Sequence, residues 1–334
     1  MRRWSNRRSI ASIMPKVLIT DHVFPGIEIE RGLLEPEGIE VVLASETDED
    51  SLVEMASDAA GMLVCFASVP EAVVDSAAAG GCRVIARYGI GYDNVDVAAA
   101  TRHGIVVTNV PDYCLDEVAD HTLALLLASA RGVVASSRSV AAGGWRIDHA
   151  SIHRLAGRRL SLIGLGAIGR RVAARAQAFG MKVIAFDPFL DPFDVPGVER
   201  AMTIEEALAD ADFVSLHAPA TAENKDLINP MTIAMMGRAP VLINTARGGL
   251  VDLQAVVTAL NDGTLSGVAL DVTDPEPLPE DHPLRSDERA IITPHMAFHS
   301  VEATDELQLR AAMEIKRVLA GGAPDRPVNP EVLS

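Results

Sequence analysis

The chain has 334 residues, 49% of them hydrophobic, 22% charged and 4% aromatic. That excludes a disordered or low-complexity architecture and, at roughly 150 residues per domain, points to two cores. Asp and Glu number 46 against 29 Lys and Arg, a net charge of -17, which repels nucleic-acid phosphates and anionic lipid alike, so neither nucleic acid nor membrane is expected as a partner. The three cysteines, Cys65, Cys82 and Cys114, build no disulfide framework and lie at no metal-ligand spacing. No metal is therefore expected, and a reducing, cytoplasmic compartment is.

Residues 1–13 carry Arg2, Arg3, Arg7 and Arg8 but lack the continuous apolar run of a secretory signal. They read either as a disordered basic extension or as residues ahead of a true start at Met14, because Lys16-Val17-Leu18-Ile19 already has the character of an opening strand. From there, apolar runs at 17–20, 39–44, 61–66, 83–88 and 105–110 are expected strands. The Ala-rich stretches 49–60, 71–79 and 95–103 between them are expected helices, the pattern of a parallel sheet with helical cover. A long helix is expected over 116–131, and Gly143-Gly144 then breaks the chain. The apolar part of that helix, 122–130, is far short of the roughly 20 residues a membrane span needs. A second series of runs follows at 160–163, 182–186, 213–216, 241–244, 267–272 and 290–293, six strands of a doubly wound sheet. The helix expected over 302–319 has no strand after it and is expected to return to the first domain.

The run 160–163 leads into Gly164-Leu165-Gly166-Ala167-Ile168-Gly169 and then a helical pattern. In that setting Gly164 permits a tight turn, Gly166 lets the backbone approach a pyrophosphate, and Gly169 lets the helix approach the strand. The next strand ends in Asp187, close to the roughly 20-residue offset at which an acid holds a ribose diol and repels a 2′-phosphate. NAD is thus expected as cofactor, in preference to NADP. Three ionisable residues stand just past later strands: Arg247 after 241–244, Glu276 in a proline-rich loop after 267–272, and His295 after Thr293-Pro294. Each alone reads as an ordinary surface or structural residue. Together behind a dinucleotide motif they supply what oxidation of a 2-hydroxy acid needs: a guanidinium for the carboxylate, an imidazole for the hydroxyl proton, and a carboxylate to orient the imidazole.

These segments resemble the D-isomer-specific 2-hydroxyacid dehydrogenases, from Met14 onward. The resemblance rests on the glycine motif and Asp187, on Asn244-Thr245-Ala246-Arg247-Gly248-Gly249, on Ala269-Leu270-Asp271-Val272 with Glu276-Pro277, and on Thr293-Pro294-His295. It implies catalytic roles for Arg247, Glu276 and His295. It also implies an NAD site made from Gly164, Gly166, Ala167, Ile168, Gly169, Asp187, His217, Ala218, Thr245, Ala246 and Asp271. Arg87-Tyr88-Gly89-Ile90-Gly91 resembles the family's substrate loop, with Arg87, Gly89 and Ile90 facing the substrate carboxylate. The segments 110–114 and 117–122 are most similar to the C-terminal-binding-protein and phosphoglycerate dehydrogenase branch. Phe298 stands where the first of these carries a pocket tryptophan, and Glu276 argues against a formate dehydrogenase. The end at Ser334 is expected to leave out the C-terminal regulatory domain of long phosphoglycerate dehydrogenases. His103, His121, His149, His153, His282 and His299 show no partner pattern and read as surface or structural.

The fold class expected is α/β with two doubly wound parallel sheets. A flavodoxin-like substrate domain would comprise 14–112 plus 300–334 and a Rossmann NAD-binding domain 113–299, with a cleft between. The apolar helix 116–131, with Leu123, Leu125, Leu126 and Leu127, is expected to serve a homodimer contact, plain burial within one subunit being the other reading. The function expected is hydride transfer between nicotinamide and a small D-2-hydroxy or 2-keto acid. The alternative is an NAD(H)-sensing, corepressor-like dimer with little turnover.

Overall fold

The computed structural model describes residues 14–145 and 152–334; the expectations for residues 1–13 and for His149 lie outside them. The chain divides into two compact units, one running to Tyr113 and resuming at Val301–Ser334, the other Cys114–Ser300.

The first unit is built on β1 (Lys16–Ile19), β2 (Glu40–Leu43), β3 (Ala59–Val64), β4 (Val84–Arg87) and β5 (Val106–Thr108). All pairings are parallel and the order is β2-β1-β3-β4-β5, the flavodoxin-like arrangement. Val17, Leu18, Met62, Leu63 and Ile85 are fully buried, as strands covered on both faces must be. Helices start where a side chain accepts a free N–H: Asp48 caps Glu49–Ala56 through Ser51 N at 3.0 Å, and Asp96 caps Val97–Arg102 through Ala99 N at 2.8 Å. The first of these ends at Ala56, earlier than the expected 60, because β3 begins at Ala59. Helix Glu28–Leu34 was not anticipated; it packs on Val301–Leu319 and carries a fully buried carboxylate, Glu30. Tyr88 Oη donates to Glu30 at 2.7 Å and Gln308 Nε2 donates to it at 3.0 Å. Val301–Leu319 also packs on β3 and β4, and Arg83 donates to its last carbonyls, Val318 O at 2.7 Å and Leu319 O at 3.2 Å.

The second unit adds β6 (Arg159–Ile163), β7 (Lys182–Phe186), β8 (Val198–Arg200), β9 (Phe213–Leu216), β10 (Val241–Asn244), β11 (Gly267–Leu270) and β12 (Ala290–Ile292). Their order is β12-β11-β10-β9-β6-β7-β8, all parallel. This is a Rossmann order extended by one strand, with the switch point between β6 and β9. Six strands were expected and seven are present among the described residues; β8 is an edge strand whose Glu199 and Arg200 are exposed, so it shows no apolar run. Helix Leu115–Ala130 packs on β10, β11 and helix Ala167–Ala178. Leu123, Leu125 and Leu126 are buried within this unit, so the leucine face on which a dimer contact was expected is taken by the unit's own core, leaving only Leu127 half-buried. Among the described residues no single helix is long and apolar enough to cross a membrane, and no group of three His, Cys, Asp or Glu could hold a metal ion.

Candidate active site

The nucleotide end of the second unit lies at the ends of β6 and β9. Gly164 has φ +98°, and a Cβ there would sit 2.6 Å from the His217 carbonyl oxygen, so only glycine can make this turn. Gly166 differs, since a Cβ on it would meet no protein atom within 4 Å: the space above it is open. It caps helix Ala167–Ala178, which has neither a side-chain cap nor an acidic residue in its first turn. The N–H groups and positive dipole end are therefore left for an external anion. Ala167 is exposed and Ile168 half-buried beside that opening. Gly169 brings the helix down onto Gly164, whose carbonyl oxygen would be 2.6 Å from a Cβ.

At the end of β7, Asp187 accepts from Leu165 N at 2.8 Å and Phe189 N at 3.0 Å. An ionised carboxylate offers about four acceptor positions, so Asp187 both fixes the glycine turn and retains capacity for a ribose diol. His217 and Ala218 approach Gly164 from β9. Burial pushes the His217 imidazole down to about 4, and its Nε2 lies 2.9 Å from Ser215 Oγ. The open cradle over Gly166, the uncapped helix start and the acid on the next strand together fit an adenine dinucleotide such as NAD.

Past the ends of β10, β11 and β12 stand the candidates Arg247, Glu276 and His295. Asn244, fully buried at the end of β10, donates from Nδ2 to Arg247 O at 2.7 Å and accepts at Oδ1 from Ala246 N at 3.0 Å. Thr245 Oγ1 lies 2.8 Å from Thr122 Oγ1. The turn presenting Arg247 is thus held from inside, and the guanidinium donates to Ala246 O at 2.8 Å. Gly248 presses on the next loop so closely that a Cβ would sit 2.0 Å from Thr273 O. That approach brings the Arg247 charge to bear on Glu276.

Glu276 accepts from Thr273 N at 3.0 Å through Oε1 and pairs with His295 Nδ1 at 2.8 Å through Oε2. Burial works to raise its pKa, but the hydrogen bond and charge of His295, with the Thr273 N–H and Arg247, hold it below the usual carboxylate range. Ionised at neutral pH, its Oε2 is placed to accept a proton carried on His295 Nδ1. His295 itself sits at φ +51°, a left-handed conformation that costs a non-glycine residue on the order of 1–2 kcal/mol. Asp271, 2% exposed, holds that turn. Its carbonyl accepts from His295 N at 2.8 Å, and its carboxylate accepts from Thr293 Oγ1 at 2.6 Å, Met296 N at 2.9 Å and Ala297 N at 2.8 Å. Asp271, which the resemblance placed at the cofactor, thus also ties down the His295 loop. Phe298 stands edge-on to His295 with ring centroids 6.3 Å apart.

His121, expected to be surface or structural, reaches this same loop: its Nε2 lies 3.1 Å from Thr293 Oγ1 and 3.5 Å from Asp271 Oδ1. The spacing of residues gave no sign of it, because its partners are remote in the chain.

In the first unit, Gly89 has φ +146° and a Cβ on it would collide with Arg87 Nη1, so the guanidinium lies across this loop and donates to Tyr88 O at 2.7 Å. Asn109 Nδ2 donates to Ile90 O at 2.7 Å. A residue that sequence reading missed is Asp21, just past β1. Its carboxylate accepts from Cys65 N at 3.1 Å, Phe66 N at 2.7 Å and Ala67 N at 3.1 Å, at the β1/β3 switch point. The only available signal was an acid directly after the first apolar run.

The family model for the D-isomer specific 2-hydroxyacid dehydrogenase NAD binding domain matches residues 123–297. A D-3-phosphoglycerate dehydrogenase from Methanocaldococcus jannaschii is 38% identical over 320 residues, covering 95% of this chain and 60% of the relative. A glyoxylate reductase from Korarchaeum cryptofilum is 36% identical, covering 89% of this chain and 88% of the relative. The chain thus spans about 60% of the length of the first and most of the second. Among solved structures, the TT0316 protein from Thermus thermophilus matches with a TM-score of 0.85 at 38% identity, covering 94% of this chain and 99% of that one.

His217 yields a stability prediction. With its folded pKa near 4 against an ordinary value of 6.5, the unfolded chain takes up a proton between those limits that the folded chain refuses. Stability therefore falls as pH drops from 6.5 to 4, by about 2–3 kcal/mol. Urea unfolding of His217→Asn should show a flatter acid limb than the parent; equal slopes would contradict the assignment.

Proposed function

Because the chain belongs to the D-isomer-specific 2-hydroxyacid dehydrogenase family, we propose that it is an NAD-dependent oxidoreductase interconverting a small D-2-hydroxy acid and its 2-keto acid. The observation that carries this is the His295–Glu276 pair at 2.8 Å with the Arg247 guanidinium beside it, on strand ends of the sheet that also bears the open glycine cradle. NAD(H) sensing alone would not require that pair.

The Gly164–Gly169 turn, with Ala167 and Ile168, binds the pyrophosphate, and Asp187 the adenine ribose. His217, Ala218, Thr245 and Ala246 flank the nicotinamide half. When bound, NADH supplies the hydride for the carbonyl carbon. Arg247 grips the substrate carboxylate through its planar fork, fixing which face of the carbon is presented. His295 passes a proton from Nε2 to the developing alkoxide, and Glu276, ionised, stabilises the imidazolium before transfer. In the reverse direction the same imidazole removes the hydroxyl proton. On the first unit, Arg87 with the Gly89 and Ile90 N–H groups forms a carboxylate-binding loop, and on the second Phe298 bears on which acid is accepted.

NADH oxidation should be measured with glyoxylate, hydroxypyruvate, phosphohydroxypyruvate and pyruvate. At least one should turn over, and His295→Ala should cut kcat by roughly 10³-fold. Tight NADH binding with no turnover of any of them would sink the reading. Asp187→Ala should raise the NADPH-to-NADH ratio of kcat/KM by about tenfold, the effect of losing one charge that opposes a phosphate; an unchanged ratio would remove Asp187 from the ribose site.

We also infer a homodimer, formed through the strip beside helix Val133–Ala141, where Val133 is 55%, Val140 50% and Trp145 87% exposed, a composition suited to an interface core. Sedimentation should give twice the chain mass, and Val140→Glu should give the single-chain mass. A parent protein that sediments as one chain at micromolar concentration would refute it.

A further inference from the structure

We infer that His121 is a positioning residue for His295, acting through Thr293 and Asp271; this rests on reading His295 as the proton-transfer group. The directions of the hydrogen bonds carry the argument. Asp271 accepts a backbone N–H at each of its carboxylate oxygens, so Thr293 Oγ1 at 2.6 Å is the donor to it. The Thr293 hydroxyl proton is thereby spent, so at 3.1 Å its oxygen accepts from His121 Nε2–H. The order is fixed: imidazole N–H to hydroxyl oxygen, hydroxyl proton to carboxylate.

That same carboxylate takes the Met296 and Ala297 N–H groups, and the Asp271 carbonyl takes that of His295. The turn it stabilises holds His295 at φ +51°, a strained conformation that persists only where its surroundings over-determine it. The bonds of Thr293 and Asp271 to one another and to Met296 and Ala297 stay within the strand ends and the loop. Through His121 they are tied to the buried helix Leu115–Ala130, which packs on β10 and β11. The acids on the same helix have other partners: Asp116 and Asp120 bind Arg175, and Glu117 accepts from Ser300 Oγ. Asp271 Oδ1 faces His121 at 3.5 Å, and Glu276, which also feels the Arg247 charge, pairs with His295. A titratable side chain outside the reacting cluster thus sets the pose of the one within it.

The test compares His121→Leu, His121→Gln, Thr293→Val and the double variant His121→Leu/Thr293→Val in the full chain, with kcat, KM and NADH Kd measured on whichever keto acid the parent reduces. His121→Leu and Thr293→Val should each lower kcat roughly tenfold with NADH Kd within about twofold. The double variant should lose no more than either single, because both break one chain of bonds. His121→Gln, which restores an N–H donor, should recover most of the rate. Parent-like kcat in His121→Leu, equal losses in kcat and NADH affinity, or losses that multiply in the double variant would each overturn the proposal. A readout independent of turnover is the NMR resonance of the His295 ring, which should move or broaden in His121→Leu as the loop loosens and return toward the parent position in His121→Gln. A His295 resonance unchanged in His121→Leu would overturn it. If the parent turns over no acid, the functional reading fails and the His295 resonances alone decide the role of His121. Should His121→Leu not fold, Thr293→Val against Thr293→Ser carries the same comparison.

Discussion

Two buried polar side chains, Asn244 and Asp271, hold the Arg247 turn and the His295 loop in place. Asn244 ties down the turn that presents Arg247, its carbonyl accepts the Asp271 N–H at 2.9 Å, and Asp271 in turn collects the loop bearing His295. Each hydrogen bond is worth only about 1 kcal/mol net, but an unsatisfied buried donor costs about 1–3 kcal/mol. Removing the Asp271 carboxylate would strand the Met296 and Ala297 N–H groups together. Ala297 is buried and Met296 exposed, so the loss is on the order of 1–3 kcal/mol from the Ala297 N–H, a sizeable part of the roughly 5–15 kcal/mol by which a domain stays folded.

Sheet topology explains how residues from distant parts of the chain reach one place. Neighbouring parallel strands lie about 4.8 Å apart, so the ends of β10, β11 and β12 fall within roughly 10 Å of one another. Arg247, Glu276 and His295 each follow one of these ends. The switch between β6 and β9 opens the crevice in which Gly164 meets His217. Gly248 then does for two loops what Gly169 does for helix and turn: it lets backbones touch where a methyl group could not fit.

Most strands were legible because a buried parallel strand is an unbroken apolar run, and the Arg247, Glu276 and His295 candidates stood out because Arg247 and His295 lie just past such runs and Glu276 in the loop after another. What escaped the sequence escaped for definite reasons. β8 pairs along one edge and carries Glu199 and Arg200 outward, so it has no apolar signature. Helix Glu28–Leu34 contains Glu28, Arg31 and Gly32 besides its buried Glu30, and is made stable by Tyr88 and Gln308 from far along the chain. The leucines of Leu115–Ala130 were visible as apolar, but periodicity does not say whether such a face meets its own core or another chain. His121 looked ordinary because Thr293 lies 172 positions away.

The two sheets treat the same topological opportunity in opposite ways. On the second, the crevice over Gly166 is left clear; on the first, the Asp21 carboxylate sits where three loop N–H groups converge, a nest of the sort that elsewhere cradles a phosphate. The first unit therefore carries a built-in surrogate for the anion such a fold could otherwise recruit. That berth is occupied from within by the chain's own acid, whereas the one over Gly166 stands open to a guest.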